Sequence, residues 1–471
     1  MSRHARTTTR RAKDPVRFVL ITGIVGAVIL STGYFVTDSI AKRVDARGST
    51  ANVKAPATKV LSVRRTPETL STVTRLGQVR RALSAAANQI PGESCLGVNW
   101  MGTPLVSVRE DNTFVPASTQ KIATAAVALE TLGSDYRFTT SVHATGFASG
   151  AAQDLYFVGG GDPVIVRNEY VATEKFPTFN GTSLESLADS LVAAGLKSVS
   201  GAIVGVDSRY DQTRFLDAWP TSFNAVEAGP LGALVVNDGA VVGEPMKPDN
   251  PAVAAATELR SLLAARGVYV AQDSRYETTV PNNATQVASI QSAPLLAIVK
   301  EMLVNSDNNT AESLVKEIGF VKKKSGTTSA GLAVIQDQLA EWKLPTAWTI
   351  ADGSGLSSNN RTSCANLMFL LARFEKTFPD LMAVAAQTGT LRTVFEGTSM
   401  ADRLVGKTGT LTGIKALAGY LPLQGNSPVR FVLIMNRNGI DNQAQYRPIW
   451  NTLGTALNQA RVSPTAQELL P

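Results

Sequence analysis

Hydrophobic and polar positions divide the chain into stretches of different period. Residues 18–36 form a run without a charge, FVLITGIVGAVILSTGYFV. Residues 37–75 carry Thr, Ser, Pro and basic residues with few large apolar side chains, which predicts an exposed linker. From residue 76 the pattern is that of a folded protein. Leu76 to Ile90 has helical spacing, and Leu96–Trp100 and Leu105–Val108 read as strands around the hairpin signal Met101-Gly102-Thr103. In PASTQKIATAAVALETLG, Ile122, Ala125, Ala126, Leu129 and Leu132 fall on one helical face, and Gly133 ends the helix.

Residues 140–290 alternate short strands, such as Leu155–Val158 and Ala202–Val206, with Gly, Pro, Asn and Asp turns. Helical spacing returns at 293–304, 310–318 and 363–374. Strand-like segments follow at 403–407, 416–423 and 429–436, and a helix from about Tyr446 to Ala460 closes the core. A β-rich middle bracketed in this way suits one domain split in sequence by an insertion. The expected organisation is a basic tail (1–17), an apolar segment (18–36), a basic linker (37–75), a first part of the main domain (76–145), inserted material (146–290), a second part (291–460) and a short tail (461–471). No repeat of solenoid period is visible.

The composition is globular: 471 residues, 44% apolar and 18% charged, long enough for two or three domains. The net charge of +7 is misleading, because residues 1–65 hold a net +10 and the rest a net −3. The folded part is slightly acidic and offers no basic footprint for a nucleic acid. With only two Cys and two His in the chain, a Cys/His zinc cluster is not expected; neither a metal nor a cofactor is called for.

The 19 uncharged residues at 18–36 would span roughly 28 Å as a helix, about the thickness of the bilayer core. Arg3, Arg6, Arg10, Arg11, Lys13 and Arg17 precede it against one acid, Asp14, which predicts a cytoplasmic N-terminus and an extracytoplasmic remainder. The length favours a single-pass signal-anchor in the cell membrane. Ser39-Ile40-Ala41 leaves a cleaved, secreted form as the alternative.

Common hydrolase signatures are missing. There is no Gly-x-Ser-x-Gly elbow, and a His-based triad would rest on His143 alone. Gly406-Lys407-Thr408 resembles the end of a P-loop, but Ala401 stands where its first glycine is needed. A serine hydrolase without histidine needs another base, and lysine serves when burial and a neighbouring cation lower its pKa. Ser and Lys at i, i+3 share a helix face. Of Ser39/Lys42, Ser118/Lys121 and Ser313/Lys316, only Ser118 opens a strongly apolar helix.

Ser-x-Asn recurs at Ser222, Ser306, Ser357 and Ser358; Ser306-Asp307-Asn308 is the one between two predicted helices. Lys-[Ser/Thr]-Gly occurs at Lys324-Ser325-Gly326, in a solvated loop, and at Lys407-Thr408-Gly409, on a strand entering a hairpin. The glycine there is expected to let a substrate backbone lie close to the strand edge.

These three motifs, in this order, form the active-site signature of penicillin-binding proteins and β-lactamases. The chain resembles the low-molecular-mass class C penicillin-binding proteins, the D-Ala-D-Ala carboxypeptidase/endopeptidases of peptidase family S13. The resemblance covers roughly residues 76–460 and extends to SDNNTAESLVKEIG, DGSGLSSNNR, KTGTLTGIKALAGY, GGGDP and AGPLGALVVNDG. It implies an α/β (α+β) fold: a transpeptidase-like domain with an antiparallel sheet flanked by helices and a large β-rich insertion.

The resemblance also implies roles. Ser118 attacks the penultimate D-Ala carbonyl of a peptidoglycan stem peptide and forms an acyl-enzyme. Lys121 takes its proton, with Lys407 nearby helping to keep that amine neutral. Ser306 bridges Lys121 and the leaving amine, and Asn308 bonds the substrate backbone. Lys407, Thr408 and Gly409 hold the terminal carboxylate end, and the N–H groups of Ser118 and Thr410 form an oxyanion hole. β-Lactam antibiotics would acylate Ser118. A serine β-lactamase on the same scaffold and an inert wall-binding protein are the alternatives; the lack of Glu-x-x-x-Asn after Ser306 weighs against the former. Cys95 and Cys364 could pair or remain buried thiols, and Asp162 could shape a turn.

Overall fold

The computed structural model describes residues 25–34, 37, 68–423 and 426–462. The expected basic tail, most of the linker, residues 18–24, 35 and 36 of the apolar run, and residues 463–471 lie outside the described residues. Residues 25–34 are helical, with Val25, Ile29 and Leu30 exposed. No helix among the described residues is long and apolar enough to cross a membrane. The remaining description concerns the compact unit that begins at Pro67.

Its main elements follow in chain order. Helix α1 (Glu68–Ala87) leads into strands β1 (Ser94–Trp100) and β2 (Thr103–Val108), then helix α2 (Lys121–Leu132). The middle holds β3 (Thr139–Ala144), β4 (Leu155–Val158), α3 (Leu184–Ala193), β5 (Ile203–Val206), α4 (Pro251–Ala264), β6 (Arg275–Tyr276) and β7 (Thr285–Gln291). Four helices follow: α5 (Leu295–Asn305), α6 (Asn308–Lys323), α7 (Thr328–Glu341) and α8 (Cys364–Arg373). The last elements are β8 (Ala383–Val384), β9 (Val405–Leu411), β10 (Ile414–Leu423), β11 (Asn426–Asn436) and α9 (Gln443–Asn458).

One sheet joins the two ends of this unit. Its order is β8-β9-β10-β11-β1-β2, and every pairing is antiparallel. Side chains alternate across it, as the period of two requires. Ala416, Ala418, Tyr420, Val432 and Ile434 face a core shared with α2, α5, α6, α7 and α8. Leu417, Leu421, Leu433 and Met435 face the other way, into a core with α1 and α9. Cys95 of β1 and Cys364 of α8 form a disulfide, so the pairing left open by the sequence is made.

Strands from 139–291 form a second sheet, β6-β5-β4-β3-β7. β5 runs parallel to β4 and β6, so α3 and α4 serve as crossovers between strands. Both helices begin at caps: Ser183 accepts from Ser186 N, and Asn250 accepts from Ala252 N and Val253 N with Pro251 in the first turn. The middle of the chain therefore holds two long helices, and one short one at Asn168–Val171, beside its strands. Helix α7 is a further one that the spacing of apolar residues did not signal.

Candidate active site

Ser118 does not lie in an α-helix. It sits in a 3-10 turn, Ala117–Gln120, that runs directly into α2. Ala117 before it has φ +47°, a strained conformation for a residue with a side chain. Two close approaches hold this turn. A Cβ on Gly409 of β9 would come within 2.7 Å of the Pro116 carbonyl oxygen, and one on Gly355 within 2.0 Å of the Ala117 carbonyl oxygen. Gly409 thus admits the nucleophile's own turn against the strand, where the sequence suggested room for a substrate backbone.

Lys121, the first residue of α2, is wholly buried. Its Nζ donates to Ser118 Oγ at 3.1 Å, to Asn308 Oδ1 at 2.6 Å and to the Ser354 carbonyl oxygen at 2.6 Å. Those three acceptors match the three hydrogens of an ammonium. Burial pushes its pKa down to about 8, and the carboxylates of Asp352, Asp307, Glu312 and Glu227 hold it from falling further. Desolvation is the main cause of that lowering.

Ser306 ends α5 in the left-handed region, φ 65°. Asp307 then caps α6, its carboxylate accepting from Asn309 N and Thr310 N, and Asn308 is the first residue of that helix. This cap-to-cap junction aims two neighbouring side chains at different lysines. Ser306 Oγ accepts from Lys407 Nζ at 2.7 Å, while Asn308 Oδ1 takes the Lys121 bond. The expected link from Ser306 to Lys121 is replaced by the link from Asn308. Asn308 Nδ2 donates to the Glu227 carbonyl at 2.7 Å, so its amide is engaged at both ends within the protein.

Lys407 on β9 is also fully buried and donates to its neighbour's carbonyl, Thr408 O, at 2.8 Å. Burial, then Lys121 and Lys415, push its pKa well below the usual lysine value. Thr408 Oγ1 donates to Thr390 Oγ1 at 2.9 Å, and Lys415 Nζ donates to Thr410 Oγ1 at 2.8 Å. Ser118, Ser306, Asn308, Thr408 and Thr410 line one cleft of about 700 Å³, together with Phe176, Glu227 and Leu356. Every residue singled out from the three motifs therefore stands in or directly behind one groove.

Other candidates fall elsewhere. Lys316 is buried against Asp211, and Lys324 caps the end of α6. His143 lies on β3, where its Nε2 is 3.0 Å from Ser141 Oγ. Asp162 is buried and turns the chain, accepting from Val164 N at 3.0 Å and from Thr182 Oγ1 at 2.7 Å. Among the described residues no cluster of His, Cys, Asp and Glu could hold a metal ion.

The groove has a polar floor that the motifs did not announce. Glu312 of α6 accepts from Ser354 N at 2.7 Å and Gly353 N at 3.0 Å, on the N-terminal side of the residue whose carbonyl receives Lys121. Asp352 accepts from Gly355 N, Ser357 N, Asn360 Nδ2 and Trp219 Nε1. Burial, then Asp352, raise the Glu312 pKa to about 7. The run DGSGLSSNNR, dense in Asp, Ser and Asn, was the signal for this loop.

Known proteins carry the same sequence pattern. The profile of the family described as "D-Ala-D-Ala carboxypeptidase 3 (S13) family" matches residues 81–247 and 242–453. The chain belongs to this family. It is accordingly a serine-type D-Ala-D-Ala carboxypeptidase of peptidase family S13. Carboxypeptidase DacB of Mycolicibacterium smegmatis is 28% identical over 459 residues, 92% of this chain and 94% of that one. The D-alanyl-D-alanine carboxypeptidase of Actinomadura sp. strain R39 is 27% identical over 407 residues, 68% of this chain and 73% of that one. The crystal structure of penicillin binding protein 4 (dacB) from Haemophilus influenzae superposes with a TM-score of 0.64. It is 20% identical and covers 80% of this chain and 99% of its own, so it shows that the S13 chain shares that fold.

Proposed function

We propose that this S13 enzyme trims peptidoglycan stem peptides through an acyl-enzyme on Ser118. The observation that carries the reading is the buried amine of Lys121 at 3.1 Å from Ser118 Oγ. In its neutral form Lys121 takes the hydroxyl proton as Ser118 Oγ bonds to the carbonyl carbon of the penultimate D-Ala. The N–H groups of Ser118 and Thr410 receive the oxyanion.

As the C–N bond breaks, Ser306 gives its proton to the departing D-Ala amine. Lys407, at 2.7 Å, refills Ser306. The proton held by Lys121 restores Lys407 before the next turnover. Water then cleaves the ester: one hydrogen returns to Ser118 Oγ and the other leaves with the new acid. Asn308 acts by holding Lys121 in line with Ser118 while its own amide hydrogen-bonds Glu227. Thr408, Gly409 and Thr410 present the strand against which the terminal D-Ala lies. β8 pairs with β9 only at Val405 and Gly406, so this strand's outer edge is open from Lys407 onward for an extended peptide.

Catalytic material is assigned to 76–145 and 291–460, and the insertion to 146–290: β1 and β2 join β8–β11 in one sheet, while β3, at 139–144, pairs with the strands of the insertion and moves that first boundary back to about residue 138. Residues 18–36 are proposed to anchor the enzyme in the membrane with its catalytic part outside. The charge-free sequence of that run and the exposed apolar side chains of helix 25–34 support this. β-Lactams are proposed as covalent inhibitors at Ser118.

The test is mass spectrometry of purified pentapeptide stems and crosslinked dimers incubated with the full chain. Loss of one D-Ala, or scission of the D-Ala crosslink, is expected. Peptides left unchanged under conditions in which a competent control enzyme cleaves them in a parallel incubation would contradict the proposal.

A further inference from the structure

Lys415 stands on β10 directly opposite Thr410 of β9, and its Nζ donates to Thr410 Oγ1 at 2.8 Å. The nitrogen lies 4.1 Å from the ring centre of Tyr446 and 5.2 Å from that of Trp450, both on α9. Two aromatic faces therefore hold this cation in place, and only 8% of the residue is exposed.

Thr408 and Thr410 are two apart on the strand, so they project to the same face, and both line the cleft. A hydroxyl that accepts from an ammonium keeps its own hydrogen free to donate. Thr410 is thereby turned into a donor that delivers the positive potential of Lys415 to the groove. Lys407, on the alternate face of β9, is already committed to Ser306 Oγ and Thr408 O.

We propose that Lys415 is a positioning residue for substrate: through the Thr410 hydroxyl it holds the terminal carboxylate of the departing D-Ala residue, or the equivalent carboxylate of a penicillin. The proposal rests on the acyl-enzyme reading of Ser118. The groups that face Lys415 set when it carries charge. Burial lowers its pKa, Asp441 before α9 raises it, and Arg447 on α9 lowers it, with the balance at about 8. Lys407 stands close enough to be perturbed in turn, and Tyr446 and Trp450 contribute their ring faces. Below about pH 8 the ammonium is present; above it the carboxylate contact weakens.

The test uses the full chain and two probes, benzylpenicillin and its methyl ester, with acylation followed by intact mass. The ratio of free-acid to ester acylation rates is expected to fall about tenfold in Lys415→Met and in Thr410→Val, and to be largely restored in Lys415→Arg. In the wild type that ratio should decline as pH rises through about 8, and in Lys415→Met that pH step should vanish. A wild-type ratio and pH step in both Lys415→Met and Thr410→Val would overturn the proposal alone. Failure of the wild type to be acylated by either probe would overturn the Ser118 reading with it.

Discussion

The Lys121 amine and the Ser118 hydroxyl are 3.1 Å apart, and Lys121 has no exposure to solvent. Three acceptors surround that nitrogen, and one of them is the hydroxyl it must deprotonate. A base held in this way works only when it has lost its own proton.

The acylation rate should therefore follow the neutral fraction of Lys121. With a pKa of about 8, roughly a tenth of the amine is neutral at pH 7 and nine tenths at pH 9. Acylation by benzylpenicillin methyl ester, which lacks the carboxylate assigned to Lys415 and Thr410, should rise about tenfold across that interval and level off above it. Stopped-flow acylation across pH 6–10 checks this, and a flat profile would exclude Lys121 as the base.

Glu312 sits under the same site and is among the carboxylates that raise the Lys121 pKa. Glu312→Gln keeps an oxygen for Ser354 N and Gly353 N but removes the charge. The midpoint of the acylation–pH profile should move to lower pH in this variant. A midpoint moved upward would show that Glu312 acts on Lys121 otherwise than by charge.

Gly409→Ala should damage activity more than stability. The added methyl would meet the Pro116 carbonyl oxygen at 2.7 Å, and a backbone atom cannot swing aside as a side-chain tip can. The turn bearing Ser118 must shift. The expected result is a fall of about 10²-fold in acylation rate with a loss of only about 1–3 kcal/mol in stability. Thermal denaturation beside acylation kinetics separates the two; unaltered acylation would remove Gly409 from the site's architecture.

Much of this site could be read from the sequence, because its motifs are local. The i, i+3 spacing of Ser118 and Lys121 survives the replacement of the expected α-turn by a 3-10 turn, since both geometries bring residues three apart together. Partnerships across long separations could not be read. Lys121 meets Asn308 across 187 positions, and Lys407 meets Ser306 across 101; which neighbour of the Ser-Asp-Asn triplet faces which lysine depends on the left-handed turn at Ser306. The Cys95–Cys364 pairing likewise needed the placement of β1 against α8.

The helices of the insertion carry legible signals in the sequence. Leu184, Leu187 and Leu191 have helical spacing behind the Ser183 cap, and Asn250-Pro251 is a strong start signal for α4. Frequent turn residues between the short strands masked both. Helix α7 has weaker contrast between its faces, with Gly331 and Ala330 among its apolar positions.

Covalent labelling decides whether Ser118 is the nucleophile. The full chain, and the same chain carrying Ser118→Ala, are incubated with fluorescent penicillin, digested, and the labelled peptide located by mass spectrometry. One adduct per wild-type chain is expected, on the peptide containing Ser118, and none on the variant. Equal labelling of the two proteins, or an adduct on any other serine, would contradict it.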